Sequence, residues 1–271
     1  QQIGAVGVAW NRDVEPLVRQ RDRELAAALK TIGVRVAAHW DQLLVPPDQL
    51  KTGGGDPYRV YGPYWRSWEK QPKATPVPAP SVLKSQQKLD LSGLPVLKEV
   101  PSEPWDGAEL CPCRPGESAA FEQLESFASR AMEHYGEGRN LPGYEGTSTL
   151  SAALRAGSLS PRTAWAASQE VLAQCRSDEQ RQSVTVWQQE LAWREFYQQA
   201  LFHFPELADG PYRSQWRQFP WEDDPARLKA WQDGLTGVPI VDAAMRQLVQ
   251  TGFMHNRCRM IVASFLVKDL I

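Results

Sequence analysis

The hydrophobic positions near the start of the chain follow two different periods. Residues 3–10 form a short apolar run with β-branched side chains, which is typical of a parallel-sheet strand covered on both faces. Residues 17–32 repeat apolar positions at helical spacing up to Gly33, and residues 34–40 form a second apolar run. This order predicts a βαβ unit of an α/β domain. Because one such unit is too small to form a stable sheet alone, we expect further strands upstream.

From about residue 117 onward, strand-like runs disappear and helical periods dominate. The predicted helices cover residues 118–135, 150–156, 161–173, 179–204, 226–233, 239–250 and 254–271. Residues 46–115 contain 13 of the 21 prolines, which predicts a linker with one short helix near Val60–Lys70. The predicted fold class is therefore mixed. It comprises the C-terminal part of a Rossmann-like α/β domain (1–45), a long linker (46–115) and the N-terminal part of an all-α domain (116–271).

Composition narrows the class of protein. The 271 residues carry 30 basic and 32 acidic side chains, so no overall basic field indicates nucleic-acid binding, and any contact with a polyanion must be local. No apolar run approaches the ~20 residues of a membrane-spanning helix. Four cysteines predict free thiols in a reducing cytoplasm, without a disulfide framework or a metal site, and we expect a monomer. The eleven tryptophans fit either a large core or stacking on flat ligands.

A cluster of hydroxyl side chains precedes the short predicted helix at 150–156. The cluster reads Thr147, Ser148 and Thr149, followed by Leu150 and Ser151. The first N–H groups of a helix have no intrahelical partner, so such a segment can hold a phosphate. The alternative is an ordinary helix N-cap, which Ser and Thr also favour.

A carboxylate lies within an aromatic stripe on the helix predicted over 179–204. Trp187, Glu190, Arg194 and Tyr197 follow one another at steps of three or four, with Trp193 on an adjoining face. Glu190 can accept hydrogen bonds from a flat polar ligand that stacks on Trp193. The alternative is a core stripe with a surface Glu190–Arg194 pair worth about 0.3–0.5 kcal/mol.

Two further segments carry candidate chemistry. Asn256, Arg259 and Met260 share one face of the last predicted helix, where an amide and a guanidinium offer directed hydrogen bonds, and Arg257 points elsewhere. A solvated basic face explains the arginines equally well. Trp221 follows Phe219 and Pro220, and its commoner fate is burial in the core.

These segments together resemble the photolyase/cryptochrome family, in particular its microbial, cyanobacterial-type cyclobutane pyrimidine dimer photolyases. The resemblance rests on four ordered motifs, at residues 187–197, 219–221, 239–248 and 254–266. It implies an α/β domain, a linker and a helical FAD-binding domain. It also implies light-driven repair of pyrimidine dimers in UV-damaged DNA, a carbon–carbon lyase reaction that uses one electron from reduced FAD. A cryptochrome-type photoreceptor without repair activity is the alternative.

The resemblance also assigns roles to individual residues. Flavin contacts fall on Tyr135, Thr147–Ser151, Trp187, Arg194, Asn256 and Arg259. The dimer pocket falls on Glu190, Trp193, Asn256 and Met260, and Trp221 is the outer member of an electron relay. DNA contacts fall on Arg139, Glu190, Trp193, Arg194, Tyr197, Asn256 and Arg257. Asp13, Glu15 and Arg155 match contacts to an antenna pigment, a deazaflavin or a folate.

The sequence departs from the family pattern in three respects. Thr149 stands where Gly or Arg is usual, and Arg155 replaces the expected Lys. Family members also extend beyond both ends of this chain, and the continuation carries the acidic partner of Arg259 and the inner relay tryptophans. We therefore expect the chain as given to hold about half of the flavin cage and to bind FAD poorly.

Overall fold

The computed structural model describes residues 5–82 and 110–270. Two parallel strands, β1 (Gly7–Asn11) and β2 (Arg35–His39), are joined by helix α1 (Pro16–Thr31), which confirms the predicted βαβ order. The strands pair from Gly7 opposite Arg35 to Asn11 opposite His39. Pro16 suits the first helical position, and the chain leaves α1 through Gly33, whose φ of +74° is accessible to glycine at little cost.

The expectation that these strands are covered on both faces is wrong for the residues that the structure describes. In both strands, exposed residues alternate with half-buried ones. Val8 and Trp10 are half-buried, whereas Gly7 and Ala9 between them are exposed. Side chains alternate across a strand, so a single covering helix can shield one face only. A continuous apolar run does not reveal how many neighbours will cover it.

The remainder of the described chain is helical. Its helices are α2 (Tyr61–Glu69), α3 (Glu117–Arg130), α4 (Tyr135–Gly138), α5 (Ser151–Ala156), α6 (Pro161–Gln174), α7 (Asp178–His203), α8 (Pro225–Gln232), α9 (Pro239–Thr251) and α10 (Asn256–Asp269). Short 3₁₀ turns lie at Met132–His134, Pro205–Ala208 and Ser214–Trp216. None of the helices in these described ranges combines the length and the hydropathy needed to cross a membrane.

Two predicted helix boundaries need correction. The helix predicted over 118–135 ends at Arg130, and the 3₁₀ turn that follows buries Met132 completely. Core packing of that side chain therefore overrides the helical period. The last helix begins at Asn256 rather than residue 254, because His255 acts as its N-cap and its Nδ1 accepts a hydrogen bond from the N–H of Arg257 (3.1 Å).

The main core surrounds α7. Helices α2, α4 and α6 pack against it, and so do residues 44–50, which span the end of the predicted α/β part and the start of the predicted linker. Tyr64 and Trp68 of α2 are among the most deeply buried side chains. This part of the linker is thus held in the helical core, while residues 83–109 of the predicted linker lie outside the described residues.

A buried carboxyl group on α7 forms hydrogen bonds with residues 44–45 and with α2 of the linker. Glu195 is only 2% exposed, and it accepts hydrogen bonds from the N–H groups of Leu44 and Val45 (3.1 Å for Val45) and from the indole N–H of Trp68 (2.7 Å). Burial raises the pKa of Glu195 to about 7, although these donors and nearby Arg194 act in the opposite direction.

This carboxyl group makes the stability of the chain depend on pH. The folded pKa lies above the ordinary value of 4.5, so the folded state holds the proton more tightly than the unfolded chain. The contribution of Glu195 is complete below pH 4.5. We expect it to fall by on the order of 3 kcal/mol as the pH rises to about 7. Arg194 and Lys73, the charged neighbours of the carboxyl group, favour its ionised form and moderate this loss.

Urea unfolding of the wild type and of Glu195→Gln at about pH 5 and pH 8 measures this effect. At pH 8 the free energy of unfolding of the wild type should fall relative to that of the variant, because Glu195 ionises and Gln does not titrate. The lowered pKa of His255 is common to both proteins and cancels in the difference. A difference that does not change with pH would contradict the prediction.

Candidate functional site

Helices α4 and α7 bring together an ion pair at the surface of the helical part. Nη1 of Arg139, directly after α4, lies 2.7 Å from Oε1 of Glu190 on α7. The close approach of α4 depends on Gly136, whose N–H donates to the hydroxyl of Ser183 on α7 (2.7 Å). Both members of the pair remain partly exposed, so the second carboxylate oxygen of Glu190 is available to a ligand.

The alternative surface pair between Glu190 and Arg194 is wrong. The guanidinium of Arg194 donates to the backbone carbonyls of Gln42 (2.6 Å) and Leu154 (3.3 Å). This places Arg194 between the βαβ unit and α5, away from the carboxylate of Glu190, which pairs with Arg139. The flavin and DNA contacts of Arg194 stay predictions, and in this structure its guanidinium links two backbone segments.

Helix α10 reaches the same surface through Arg257. Its Nε and Nη2 both donate to Oδ1 of Asn140 (3.0 and 2.7 Å), and Nδ2 of Asn140 donates to the carbonyl of Gly136 in α4 (3.1 Å). Nη1 of Arg257 also lies 3.8 Å from the sulfur of Met260. Arg139 and Arg257 therefore form a local basic site in a chain that is acidic overall.

The predicted face of α10 is present. Asn256, Arg259 and Met260 are all exposed, as their spacing requires. The guanidinium of Arg259 donates through Nε to the carbonyl of Met254 (3.0 Å), which orients the side chain along the start of the helix. The proximity of Met260 to Arg257 places this face beside the ion pair of Arg139 and Glu190.

Trp193 lies next to Glu190 in a cluster of aromatic rings. The ring of Tyr61 from α2 stacks on it, with centroids 3.5 Å apart and planes 6° from parallel. Tyr197, one turn along α7, is exposed and lies 5.7 Å from Trp193 at 25°. Phe196 meets the ring of Trp193 edge-on at 5.7 Å. Trp193 is therefore half-buried and held by neighbours rather than free at the surface.

A cleft of about 420 Å³ lies behind this surface, a size typical of small-molecule sites. Its polar lining comprises Gln123, Ser126, Arg130, Tyr144, Glu145, Thr147, Thr149, Gln247 and His255. Among the described residues, Nε2 of His255 is buried and has no hydrogen-bond partner. The guanidinium of Arg130 and the hydroxyl and amide groups of this lining can donate to a phosphate-bearing ligand such as FAD, whereas the carboxylate of Glu145 repels a phosphate.

The ordinary N-cap interpretation of the hydroxyl cluster is wrong. Helix α5 begins at Ser151, its N-cap position is held by Leu150, and no side chain caps it. Thr149 adopts a φ of +51°, which is uncommon for a residue with a side chain, and its hydroxyl donates to the carbonyl of Ser148 (2.8 Å). Helix capping therefore does not explain the backbone conformation of this turn.

Two residues with predicted flavin contacts lie in the core. Tyr135 and Trp187 are buried and pack against Phe127, with centroid distances of 5.9 and 5.6 Å. Phe127 itself lines the cleft, so both rings support the wall of the cleft from behind. Burial raises the pKa of Tyr135, which keeps its phenol protonated.

Trp221 does not fill the core, so that alternative is wrong. Its side chain is 52% exposed and contacts Phe219 with ring centroids 4.6 Å apart. Trp221 also borders a groove together with Leu228 of α8 and Val267 of α10. A solvent-facing position of this kind is what the outer member of an electron relay requires.

The three predicted antenna residues come together where the βαβ unit meets α5. Nη1 of Arg155 lies 3.7 Å from the carboxylate of Asp13, and Oδ1 of Asp13 accepts hydrogen bonds from the N–H groups of Val14 (2.6 Å) and Glu15 (3.2 Å). Glu15 is the N-cap residue of α1. The carboxylate of Asp13 is therefore fixed by its own backbone, while Arg155 stays exposed.

Two residues of this site are not among those predicted from the sequence. Tyr61 covers Trp193, and Asn140 accepts hydrogen bonds from Arg257. Asn140 follows Arg139 directly, so its place beside a predicted DNA contact was a usable signal. Tyr61 lies in an aromatic-rich helix of the linker, and no local pattern there indicates which distant ring it meets.

Two protein families match this chain. Residues 187–271 match the FAD binding domain of DNA photolyase, and residues 1–81 match the DNA photolyase family. Among curated relatives, the deoxyribodipyrimidine photo-lyase of a Synechococcus species is 56% identical over all of this chain, and that of Agrobacterium fabrum is 40% identical. The chain spans about 57% and 56% of the lengths of these two relatives.

Solved structures agree with these matches. A bacterial class III photolyase from Agrobacterium tumefaciens superimposes with a TM-score of 0.84 at 39% identity, and a Synechocystis cryptochrome with 0.79 at 27%. Each comparison covers 99% of this chain and 56% of the other. The fold is accordingly mostly helical with a small parallel sheet, and the chain belongs to the photolyase/cryptochrome family.

Proposed function

We propose that this chain is part of a deoxyribodipyrimidine photo-lyase, which repairs cyclobutane pyrimidine dimers in UV-damaged DNA. The observation that carries the proposal is a single surface built by three helices. There the Arg139–Glu190 ion pair, the ring of Trp193 and the guanidinium of Arg257 lie together. A stacking ring, a hydrogen-bond acceptor and local positive charge are the elements that recognise a base turned out of the helix.

Each side chain has a definite task in this proposal. Trp193 offers a ring face to the two joined pyrimidines, and the second oxygen of Glu190 accepts a hydrogen bond from a base N–H. Arg139 and Arg257 contact phosphates on either side of the lesion. Met260, beside Arg257, adds an apolar wall that excludes water from the dimer.

FAD, when bound in its reduced form, supplies the electron that splits the dimer under blue light. On this chain, the residues around the cleft would hold it. The hydroxyl of Thr147 would donate a hydrogen bond to a phosphate oxygen. Arg259 would add a positive charge close to the same turn, since it opposes the rise that burial causes in the pKa of the Cys113 thiol, which donates to the carbonyl of Thr149 (3.4 Å). Asn256, exposed at the start of α10, would contact both the flavin and the dimer.

The finer assignments belong to the same proposal. Residues 1–45 would be part of a Rossmann-like domain. Its Asp13 and Glu15, together with Arg155 of α5, would touch a deazaflavin or folate antenna pigment. Trp221 would exchange electrons with the solvent side. We expect the protein to act as a monomer, because recognition of one lesion requires one such surface.

A cryptochrome without repair activity is the second candidate, favoured by the structural similarity to the Synechocystis cryptochrome. A receptor of that kind has no need for a carboxylate next to a stacking ring on a basic surface. Blue-light splitting of a thymine dimer by the purified holoprotein separates the two functions, since a signalling receptor leaves the dimer intact.

Binding to damaged DNA tests the proposal on the chain itself. We expect Trp193→Ala to weaken binding to a duplex with one thymine dimer about 5- to 150-fold, because base–ring stacking contributes about 1–3 kcal/mol. Affinity for undamaged duplex should stay the same, since phosphate contacts are unaffected. Glu190→Gln should lower dimer affinity less, because an amide oxygen still accepts. Fluorescence anisotropy with labelled duplexes measures all of these affinities.

Trp216→Ala is the control, since Trp216 is an exposed tryptophan that lies outside the cluster around Trp193. It should leave both affinities unchanged. Equal losses on damaged and undamaged DNA for Trp193→Ala would mean that Trp193 does not read the lesion, and the proposed function would then be wrong.

A further inference from the structure

The ring of Trp193 has one face that is already occupied. Tyr61 lies parallel to it at a centroid distance of 3.5 Å, which is van der Waals contact over the whole ring overlap. Trp193 lies on α7, whereas Tyr61 lies on α2 in the linker. A base therefore cannot stack on the face of Trp193 that Tyr61 covers. The exposed ring of Tyr197, 5.7 Å from Trp193 at 25°, also borders the indole and must leave room for a base on the other face.

Tyr61 is itself fixed from several sides. Its phenol donates a hydrogen bond to the carbonyl of Gln189 on α7 (3.0 Å). Phe196 meets its ring edge-on at 5.8 Å, and the buried Tyr64 lies at 6.5 Å. Burial, followed by the nearby Glu190, raises the pKa of Tyr61, so the phenol keeps the proton that it donates. Helix α2 thus holds the ring of Tyr61 in a fixed orientation against one face of Trp193.

We infer that Tyr61 is a positioning residue that sets the plane of Trp193 and so defines which single face receives the flipped-out dimer. The inference rests on the proposed function, because it assumes that Trp193 stacks on the lesion. An indole on a helix surface can adopt several rotamers, and a ring that is fixed before binding loses less conformational entropy when the ligand stacks on it. Tyr61 acts through Trp193 and need not touch DNA.

Two substitutions distinguish the contribution of the Tyr61 ring to dimer affinity from that of its hydroxyl group. Tyr61→Leu removes the stack, and we expect affinity for a thymine-dimer duplex to fall about 2- to 10-fold, as for the loss of one aromatic pair. Tyr61→Phe keeps the ring and loses only the hydrogen bond to Gln189, so its affinity should stay within about twofold of the wild type. Near-ultraviolet circular dichroism should change in Tyr61→Leu and in Trp193→Ala, and remain similar in Tyr61→Phe.

A double-mutant cycle distinguishes positioning from general damage to the fold. In the Trp193→Ala background, Tyr61→Leu should cause no further loss of dimer affinity, because the ring that it positions is gone. Urea unfolding of each variant confirms that binding is measured on folded protein.

The outcomes point to different conclusions. If Trp193→Ala leaves dimer affinity unchanged, the proposed function is wrong. If Trp193→Ala weakens binding while Tyr61→Leu has no effect, or lowers affinity by the same factor in both backgrounds, the function stands and the inference about Tyr61 is overturned.

Discussion

Replacing Glu195 with alanine near pH 5 is expected to lower the free energy of unfolding by about 3–5 kcal/mol. Three buried N–H donors, those of Leu44, Val45 and the indole of Trp68, would lose their acceptor at once. Each unsatisfied buried donor costs about 1–3 kcal/mol, less what water entering the cavity recovers. The loss should be cooperative, since one side chain joins residues 44–45 and α2 to α7.

Chemical denaturation monitored by tryptophan fluorescence measures this loss. Glu170→Ala is a suitable control, because Glu170 is exposed on the neighbouring helix α6 and should change the stability by less than about 0.5 kcal/mol. Limited proteolysis should also cut the variant faster around residues 46–60. A Glu195→Ala protein as stable as the control would show that the linker is held by apolar packing alone.

The sequence predicted the helices well because each depends on a local signal. The period of apolar residues locates α6, α7 and α9 within a few residues, and Pro at the first helical position marks where α6 and α9 begin. The same logic fails after Arg130. There, burial of Met132 depends on partners that are distant along the chain, and the local period carries no information about them.

The contacts of the candidate site were harder to predict for the same reason. Spacing of four residues suggested that Glu190 pairs with Arg194, yet Arg139 takes that position because α4 packs on α7. Arg194 instead meets the carbonyl of Gln42, a partner 152 positions away. Local spacing identifies which partners a side chain can reach on its own helix, but it cannot rank them against partners that only the fold supplies.

The resemblance to a family provided what periodicity lacked. It grouped Arg139, Glu190, Trp193, Arg257 and Met260, which three separate helices bring to one surface. It did not indicate Tyr61, because the conformation of a linker helix against α7 is a property of the fold. The side chains that contact a ligand were thus easier to find than those that hold them in place.

A second large effect is expected from Gly146→Ala, at the start of the hydroxyl segment. A Cβ atom at Gly146 would lie 2.7 Å from the carbonyl carbon and oxygen of Gly138, which are backbone atoms at the end of α4. Backbone cannot rotate away as a side chain can, so the chain must move apart at this point. We expect the free energy of unfolding to fall by about 2–3 kcal/mol.

The displacement should also weaken flavin binding, because Thr147 follows Gly146 and Arg139 follows Gly138. Moving the two backbones apart separates the hydroxyl segment from the helix that carries the ion pair with Glu190. Gly143→Ala is a close control within the same loop, since nothing lies within 4 Å of its added methyl group. Titration of FAD, followed by quenching of its fluorescence, should show a higher Kd for Gly146→Ala than for Gly143→Ala. If both variants bind FAD equally well, the position of the hydroxyl segment relative to α4 does not determine flavin affinity.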